Sequence, residues 1–389
     1  MTNLIAPQYA QCDLSFTIEK ATTIVLRSPV DTPVQTSFGI MKDRPALFLV
    51  LEDSQGNTGV GEVWCNFPSC GAEHRQQLLE TAILPALIGH EFADPESCFV
   101  FLQKQFQRLA VQAGEPGPIA QSIAGIDIGL WDLVTRRSGQ PLHRLLGSRN
   151  ARIAAYCSGI NPTGATDTFL RCRDEGYTSY KLKIGFGDDI DYPNLESICS
   201  KLASGEQLMV DANQAWSLEQ ALTQVERLSG FPLTWLEEPM LANSPDEQWT
   251  ILANATAIPL AAGENMADTA TFTLANESEW LGVMQPDICK WGGFSGVLPV
   301  AREALGYGKQ YCPHYLGGGI GLMASAHVLA AAGGTGLLEI DSNPNPLRAK
   351  LYSPVIENGQ ATLSDEPGLG IDPAMLQALA NDPAIIRSQ

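Results

Sequence analysis

The chain has 389 residues, enough for two ordinary domains or one large α/β barrel with an appendage. Hydrophobic residues make up 44% and charged residues 17%, so it buries a large interior and does not read as disordered. With 24 Lys and Arg against 43 Asp and Glu, the net charge of −19 excludes nucleic-acid and anionic-membrane binding, which rely on clustered cations.

The first third reads as α+β. Residues 20–28 and 45–51 have strand character, and GNTGVGEVW around Gly59 and Gly61 reads as a turn feeding a third strand. Helical periodicity follows over Arg75–Leu87, Glu96–Leu109 and Gln121–Ser138, with the GEPGP run at 114–118 as a break before the last. From residue 151 short β-rich runs alternate with helix-patterned stretches: 153–159, 179–185, 207–213, 233–239, 259–265, 282–288, 310–316 and 336–342. Eight strands in this rhythm predict a (β/α) barrel, and no Gly-rich phosphate loop supports an open doubly wound sheet instead. The expected domains are an α+β cap over 1–150, a barrel over 151–345, and a tail over 346–389 that packs back on the cap. The nine cysteines are scattered without a CxxC pair and read as reduced intracellular thiols. There is no basic and apolar leader pattern and no apolar run of about 18 residues, so a cytoplasmic, membrane-free protein is expected.

Charged residues recur near the predicted strand C-termini: Lys181 and Lys183, Asp211, Glu237, Glu264, Asp287, His314 and Glu339. From Lys183 onward the spacings are 28, 26, 27, 23, 27 and 25, one residue per βα unit. In a barrel those ends meet at one mouth, where active sites lie. Singly, Lys181 and Lys183 read as a solvated strand face, and each carboxylate as a cap or surface group. Together, Asp211, Glu237 and Glu264 on three consecutive strands suit a hard, oxygen-preferring cation. Glu238 is expected on the opposite strand face, in a structural role.

The runs KLKIG (181–185), VDAN (210–213), WLEEP (235–239), GEN (263–265), QPDICKWGG (285–293), PH (313–314) and LLE (337–339) resemble the enolase superfamily in its mandelate racemase-like subgroup. The resemblance spans nearly the whole chain and implies a modified TIM barrel, (β/α)7β, with an α+β capping domain. It implies that Asp211, Glu237 and Glu264 bind Mg2+, with Asn213 supporting the metal site. Lys183 is the implied base on one substrate face, with Lys181 beside it. His314, paired with Asp287, is the implied base or acid on the other, and Glu339 the partner of the substrate carboxylate. The muconate-cycloisomerase-like branch carries lysine at the position of Asp287, so the His–Asp pair separates this chain from it.

Removing a proton next to a carboxylate creates an enediolate, whose charge a divalent cation stabilises, with Glu339 assisting if protonated or bridging. Lys181 and the cation disfavour the charged form of Lys183, and Asp287 sets the tautomer of His314. The first expectation is dehydration of an aldonate or aldarate to a 2-keto-3-deoxy acid. The alternatives are an aldarolactone cycloisomerase, which GIDIGLWD, KLKIGFG, QPDICKWGGFS and NPNPLR resemble, and a 2-hydroxy-acid racemase or epimerase. A Schiff-base aldolase using Lys183 would have no need of the three carboxylates. The expected partners are a small carboxylate or lactone substrate and further copies of the chain, as a dimer or octamer.

In this family cap loops select the substrate, here residues 31–45 and 62–75. Phe38, Trp64 and Phe67 are candidates to exclude water; Lys42, Arg44, His74 and Arg75 either meet a distal carboxylate or hydroxyls, or are ordinary cap surface. His90, His143, His327 and Trp131 read as structural. Cys157, Cys289 and Cys312 lie on predicted strands, without an activating base to mark a nucleophile.

Overall fold

The computed structural model describes residues 4–6, 12–35 and 39–387. Phe38 lies outside these residues. The cap is built on an antiparallel sheet of β1 (Phe16–Gln35), β2 (Ile40–Asp53) and β3 (Thr58–Val63). Gly59 and Gly61 fall inside β3 rather than in a turn. Two apart, they share one face, and a Cβ on either would collide with the backbone oxygen of Gly129 or Gly125. These glycines therefore let the helix Pro116–Arg137 lie directly on the sheet. The expected break at 114–118 is the start of that helix, because proline is tolerated in a first turn where the N–H has no partner. The helix is buried along most of its length and joins the cap to the barrel. Trp131 Nε1 donates to Ser295 Oγ at 2.9 Å, and Asp127 Oδ1 accepts from the Ser295 amide at 3.1 Å.

The barrel strands are β4 (Arg152–Ile160), β5 (Ser179–Lys183), β6 (Gln207–Asp211), β7 (Leu233–Glu237), β8 (Leu260–Ala262), β9 (Leu281–Met284), β10 (Gln310–Tyr311) and β11 (Leu337–Asp341). They pair in parallel from β10 back through β4, and β4 pairs with β11. A helix follows each of the first seven strands, giving an almost closed (β/α)7β barrel with an antiparallel sheet on top. The interior is packed by Tyr156, Met209, Trp235, Ala261, Val283, Cys312 and Leu337, so the site lies at the mouth and not in a channel. Beyond the barrel, β12 (Gln360–Thr362) pairs with β4 and β13 (Ile386–Arg387) with β1, so the tail touches both barrel and cap.

Against the expectation of reduced thiols, Cys157 on β4 and Cys172 on the following helix are joined as a disulfide. Among the described residues no helix is long and apolar enough to cross a membrane.

His143 and His327 form a buried pair in which His327 Nδ1 accepts the His143 amide at 2.9 Å. Burial lowers both, His143 to about 4, where nearby Arg144 opposes protonation and Asp365 favours it, and His327 to about 3. Between these values and the ordinary 6.5 the unfolded chain binds more protons. Their stabilisation is therefore complete above pH 6.5 and lost as pH falls through that window, roughly 2 kcal/mol per histidine by pH 5. Burial raises Glu62 and Asp127 to about 7, which acts in the opposite sense. The comparison that isolates the pair is His327→Gln against wild type. Urea unfolding at pH 7 and pH 5 should show the wild type losing more stability on acidification than the variant.

Candidate active site

Lys183, Asp211 and Glu237 are each the last residue of their strands, and Lys183 pairs in register with Asp211, Asp211 with Glu237. Glu264, Asp287 and His314 lie two or three residues beyond the ends of β8, β9 and β10, and Glu339 is the central residue of β11. A cavity of about 230 Å³ opens at this mouth. Lys181, Lys183, Asp211, Asn213, Glu264, His314 and Glu339 border it, under Trp64 and Phe67 of the cap. Most of the charges that recur along the chain thus meet at one cavity, with Glu237 and Asp287 behind it on Lys181 and His314.

The carboxylates are held by internal cations. Lys181 Nζ lies 2.5 Å from Glu237 and 2.9 Å from Glu339, and these two anions outweigh burial to keep the ammonium charged well above its ordinary range. Glu237 also accepts from Gln285 Nε2 at 2.7 Å and from Trp235 Nε1 at 3.2 Å. Glu264 is bonded to His314 Nε2 at 2.7 Å and Lys290 Nζ at 3.0 Å; these cations overcome burial and hold its carboxyl well below the usual range. Asn213 grips Asp211 through its backbone N–H at 2.8 Å and its side-chain amide at 2.7 Å.

His314 Nδ1 is 2.8 Å from Asp287 Oδ2, while Asp287 Oδ1 accepts the amides of Cys289 and Lys290 at 2.8 and 3.1 Å. Burial opposes a charged imidazole, but Glu264, Glu339 and Asp287 outweigh it and hold His314 cationic. Glu339 accepts the Tyr315 amide at 3.0 Å; against burial, Lys181 and His314 keep it ionised. In this arrangement it accepts from Tyr315 and Lys181.

Burial and mutual repulsion raise Asp211, Glu237 (to about 7) and Glu238. A buried cluster of hard oxygen donors that resist ionising together suits a divalent cation in donor chemistry. The side chains do not converge on one point: among the described residues no three His, Cys, Asp or Glu groups are arranged to hold an ion. The cause is visible in the contacts, since Glu264 turns to His314 and Lys290, and Glu237 to Lys181 and Gln285.

The four charged cap candidates stand away from the cavity. Arg44 is buried on Asp341 at 3.1 Å, Arg75 on Gln121 at 2.9 Å, and His74 on Glu115 at 3.0 Å, while Lys42 is exposed; none borders the cavity. Their sequence proximity to the cap loops gave no sign of these partners. Trp64 borders the cavity, its indole Nε1 buried without a partner among the described residues, and Lys290 Nζ lies 4.7 Å from its ring centroid. Glu238 does not border the cavity; it accepts from Asn265 Nδ2, on a residue that does, at 2.8 and 3.0 Å. Unanticipated members are Lys290, Asn265, Gln285, Asp341 and Asn343. For Gln285 and Asp341 a signal was present, two residues from Asp287 and Glu339 respectively. Cys289 and Cys312 are buried, which pushes both thiols up, Cys312 to about 12, so neither supplies a ready thiolate.

Residues 166–377 match the family described as Enolase C-terminal domain-like, and residues 20–147 the mandelate racemase / muconate lactonizing enzyme N-terminal domain. The chain is 28% identical to D-galactarolactone cycloisomerase of Agrobacterium fabrum, over 90% of this chain and 94% of that protein. It is likewise 28% identical to arabinonate dehydratase of Saccharolobus solfataricus, over 82% and 86%. Among solved structures, a mandelate racemase/muconate lactonizing enzyme from Bordetella bronchiseptica RB50 is 48% identical with a TM-score of 0.88, over 94% of this chain and 99% of that one. A racemase from Streptomyces coelicolor A3(2), solved with bound magnesium, is 25% identical with a TM-score of 0.81, over 91% and 97%. Two-domain sequence matches, the barrel with its cap, and the ring of strand-end charges agree: the chain is an enzyme of the enolase superfamily, in its mandelate racemase / muconate lactonizing branch, whose relatives are lyases and isomerases.

Proposed function

We propose that this enzyme removes the proton α to the carboxylate of a sugar acid and expels the β-hydroxyl, giving a 2-keto-3-deoxy acid. The observation that carries it is the placement of Lys183 and of His314, bonded to Asp287, on different sides of one cavity that Asp211, Glu264 and Glu339 also border. Asp211, Glu237 and Glu264 would hold Mg2+, which when bound stabilises negative charge developing on the substrate carboxylate. Lys183 Nζ takes the α-proton. His314, oriented by Asp287, delivers a proton from Nε2 to the departing hydroxyl once Glu264 no longer occupies that nitrogen. Lys181 keeps Glu237 and Glu339 in place, and Trp64 and Phe67 limit water at the mouth. The family resemblance further supports a homo-oligomer.

The second reading is ring opening of an aldarolactone, favoured by the similarity to the galactarolactone cycloisomerase along nearly the whole chain. Proton NMR in D2O with Mg2+, against pooled aldonates, aldarates and their lactones, separates the two. New methylene signals with loss of water from an open acid support dehydration. Conversion of a lactone alone to an open-chain deoxy keto acid replaces it with the second reading, and loss of only the α-proton signal with racemisation or epimerisation.

A further inference from the structure

The order of strands around the barrel gives the cavity two opposed ends. Asp211, Glu237 and Glu264 belong to β6, β7 and β8, whereas β11 and β4, adjacent to each other, lie across the mouth from β7. Lys183 on β5 and His314 after β10 stand between these ends, on either side. A substrate whose carboxylate lies between the β6–β8 carboxylates and Glu339, with its α-carbon between Lys183 and His314, directs its tail to the rim of the β11–β4 wall, where Asp341 follows Glu339 by two residues on the same strand face. That wall is made by Asp341, Asn343, Ser158 and Gly159, with Asp341 in register with Ser158.

We infer that the substrate carries a single carboxylate, the one beside the reacting carbon, and that Asp341 and Asn343 receive an uncharged hydroxylated or lactone tail while rejecting a second terminal carboxylate. The inference rests on the proposed function and narrows its substrate class.

The wall is preassembled. Asp341 Oδ1 accepts the Asn343 backbone N–H at 3.0 Å and its side-chain amide at 2.7 Å, and the same amide reaches Gly159 O at 3.1 Å. Asp341 Oδ2 is met by Arg44 at 3.1 Å and Arg348 at 3.5 Å, and neither arginine borders the cavity. Burial opposes ionisation of Asp341, but the two guanidiniums outweigh it and hold the carboxyl below its usual range. Asp341 has only acceptor oxygens, so it can take hydroxyl protons from a tail but offers a second carboxylate no donor.

The cations are accounted for across the whole chain, since every Lys, Arg and His stands on a described residue. Those bordering the cavity are Lys181, Lys183, Lys290 and His314. Lys181 is taken by Glu237 and Glu339, and Lys290 by Glu264. Lys183 and His314 flank the reacting carbon. None stands on the tail wall, and the cap above the cavity adds Val34, Trp64 and Phe67, which carry no charge. A buried second carboxylate would thus lose its hydration without gaining a cation.

The test measures α-proton exchange in D2O by the full-length protein with Mg2+, on aldonates paired with aldarates of the same configuration: gluconate with glucarate, galactonate with galactarate, mannonate with mannarate. The aldonolactones and aldarolactones, which also carry at most one carboxylate, are included. The expected result is that the best single-carboxylate substrate has a kcat/KM at least tenfold above that of every diacid. In Asp341→Ala the wall loses its anion and leaves Arg44 and Arg348 unpaired, so this ratio should fall at least tenfold. Should that variant not fold, the wild-type ratio decides alone. A diacid turned over as well as or better than the monoacids overturns the inference and leaves the proposed function standing. An Asp341→Ala variant that folds and keeps the wild-type ratio overturns the assignment of Asp341. Exchange on no acid sugar at all overturns the proposed function, and the inference with it.

Discussion

Lys183→Ala should lower α-proton exchange of the acid-sugar substrate by about 10³-fold or more, while His314→Asn should leave that exchange measurable and lower dehydration by a similar factor. The split follows from position. Lys183 ends β5 beside Asp211 at one side of the cavity, and His314 follows β10 at the other. If Lys183 is the base and His314 the acid for the departing hydroxyl, each variant removes one proton transfer, and such a transfer is worth about 10²–10⁴-fold. His314→Asn keeps a polar side chain beside Asp287 and Glu264, which limits the disturbance from leaving two buried carboxylates unpaired. NMR in D2O reads both quantities in one sample, as loss of the α-proton signal and as growth of the methylene signals. Exchange surviving undiminished in Lys183→Ala would contradict the assignment of the base. Dehydration at wild-type rate in His314→Asn would remove the histidine from the reaction.

Asp287→Asn should cost about 10²–10⁴-fold in kcat with little change in the fold. In the protein Asp287 Oδ1 is committed to the amides of Cys289 and Lys290, and Oδ2 to His314 Nδ1. An asparagine that keeps its oxygen on the two amides turns its NH2 toward His314. Two donors then face each other, so the imidazole must become neutral with Nδ1 unprotonated, and the stabilisation of its cation is lost. The tertiary structure has no reason to change, because the amide contacts remain. Circular dichroism and thermal unfolding close to wild type, with kcat reduced and KM little altered, are the expected pattern. Unchanged kcat would mean that the pair is structural and that His314 is oriented by other contacts.

The barrel was readable because its charges recur once per βα unit and the strand ends stay in step. Lys183, Asp211 and Glu237 end their strands, and the loops that carry Glu264, Asp287 and His314 beyond theirs are only two or three residues long at that point. The cap was less readable. Arg44 meets Asp341 across 297 residues, and no local pattern reports such a pair. Glu238 follows the end of β7 with a φ of 37°, so strand alternation does not set its direction, and its partner Asn265 comes from the next βα unit. The prolines at 116 and 118 sit where a helix begins as readily as where one ends. Gly59 and Gly61 signal close packing as well as turning, and only the helix above β3 decides between these. Cys157 and Cys172 are 15 residues apart, on a strand and the helix after it, a juxtaposition set by the fold of one βα unit.

The most direct test of the account is α-proton exchange in D2O with and without divalent metal, on whichever acid sugar the protein turns over. Exchange should disappear after exhaustive chelation, return with added Mg2+, and stay absent in Glu264→Gln at the same Mg2+ concentration. Exchange that continues at its full rate after chelation would contradict metal-assisted abstraction of the α-proton at this site.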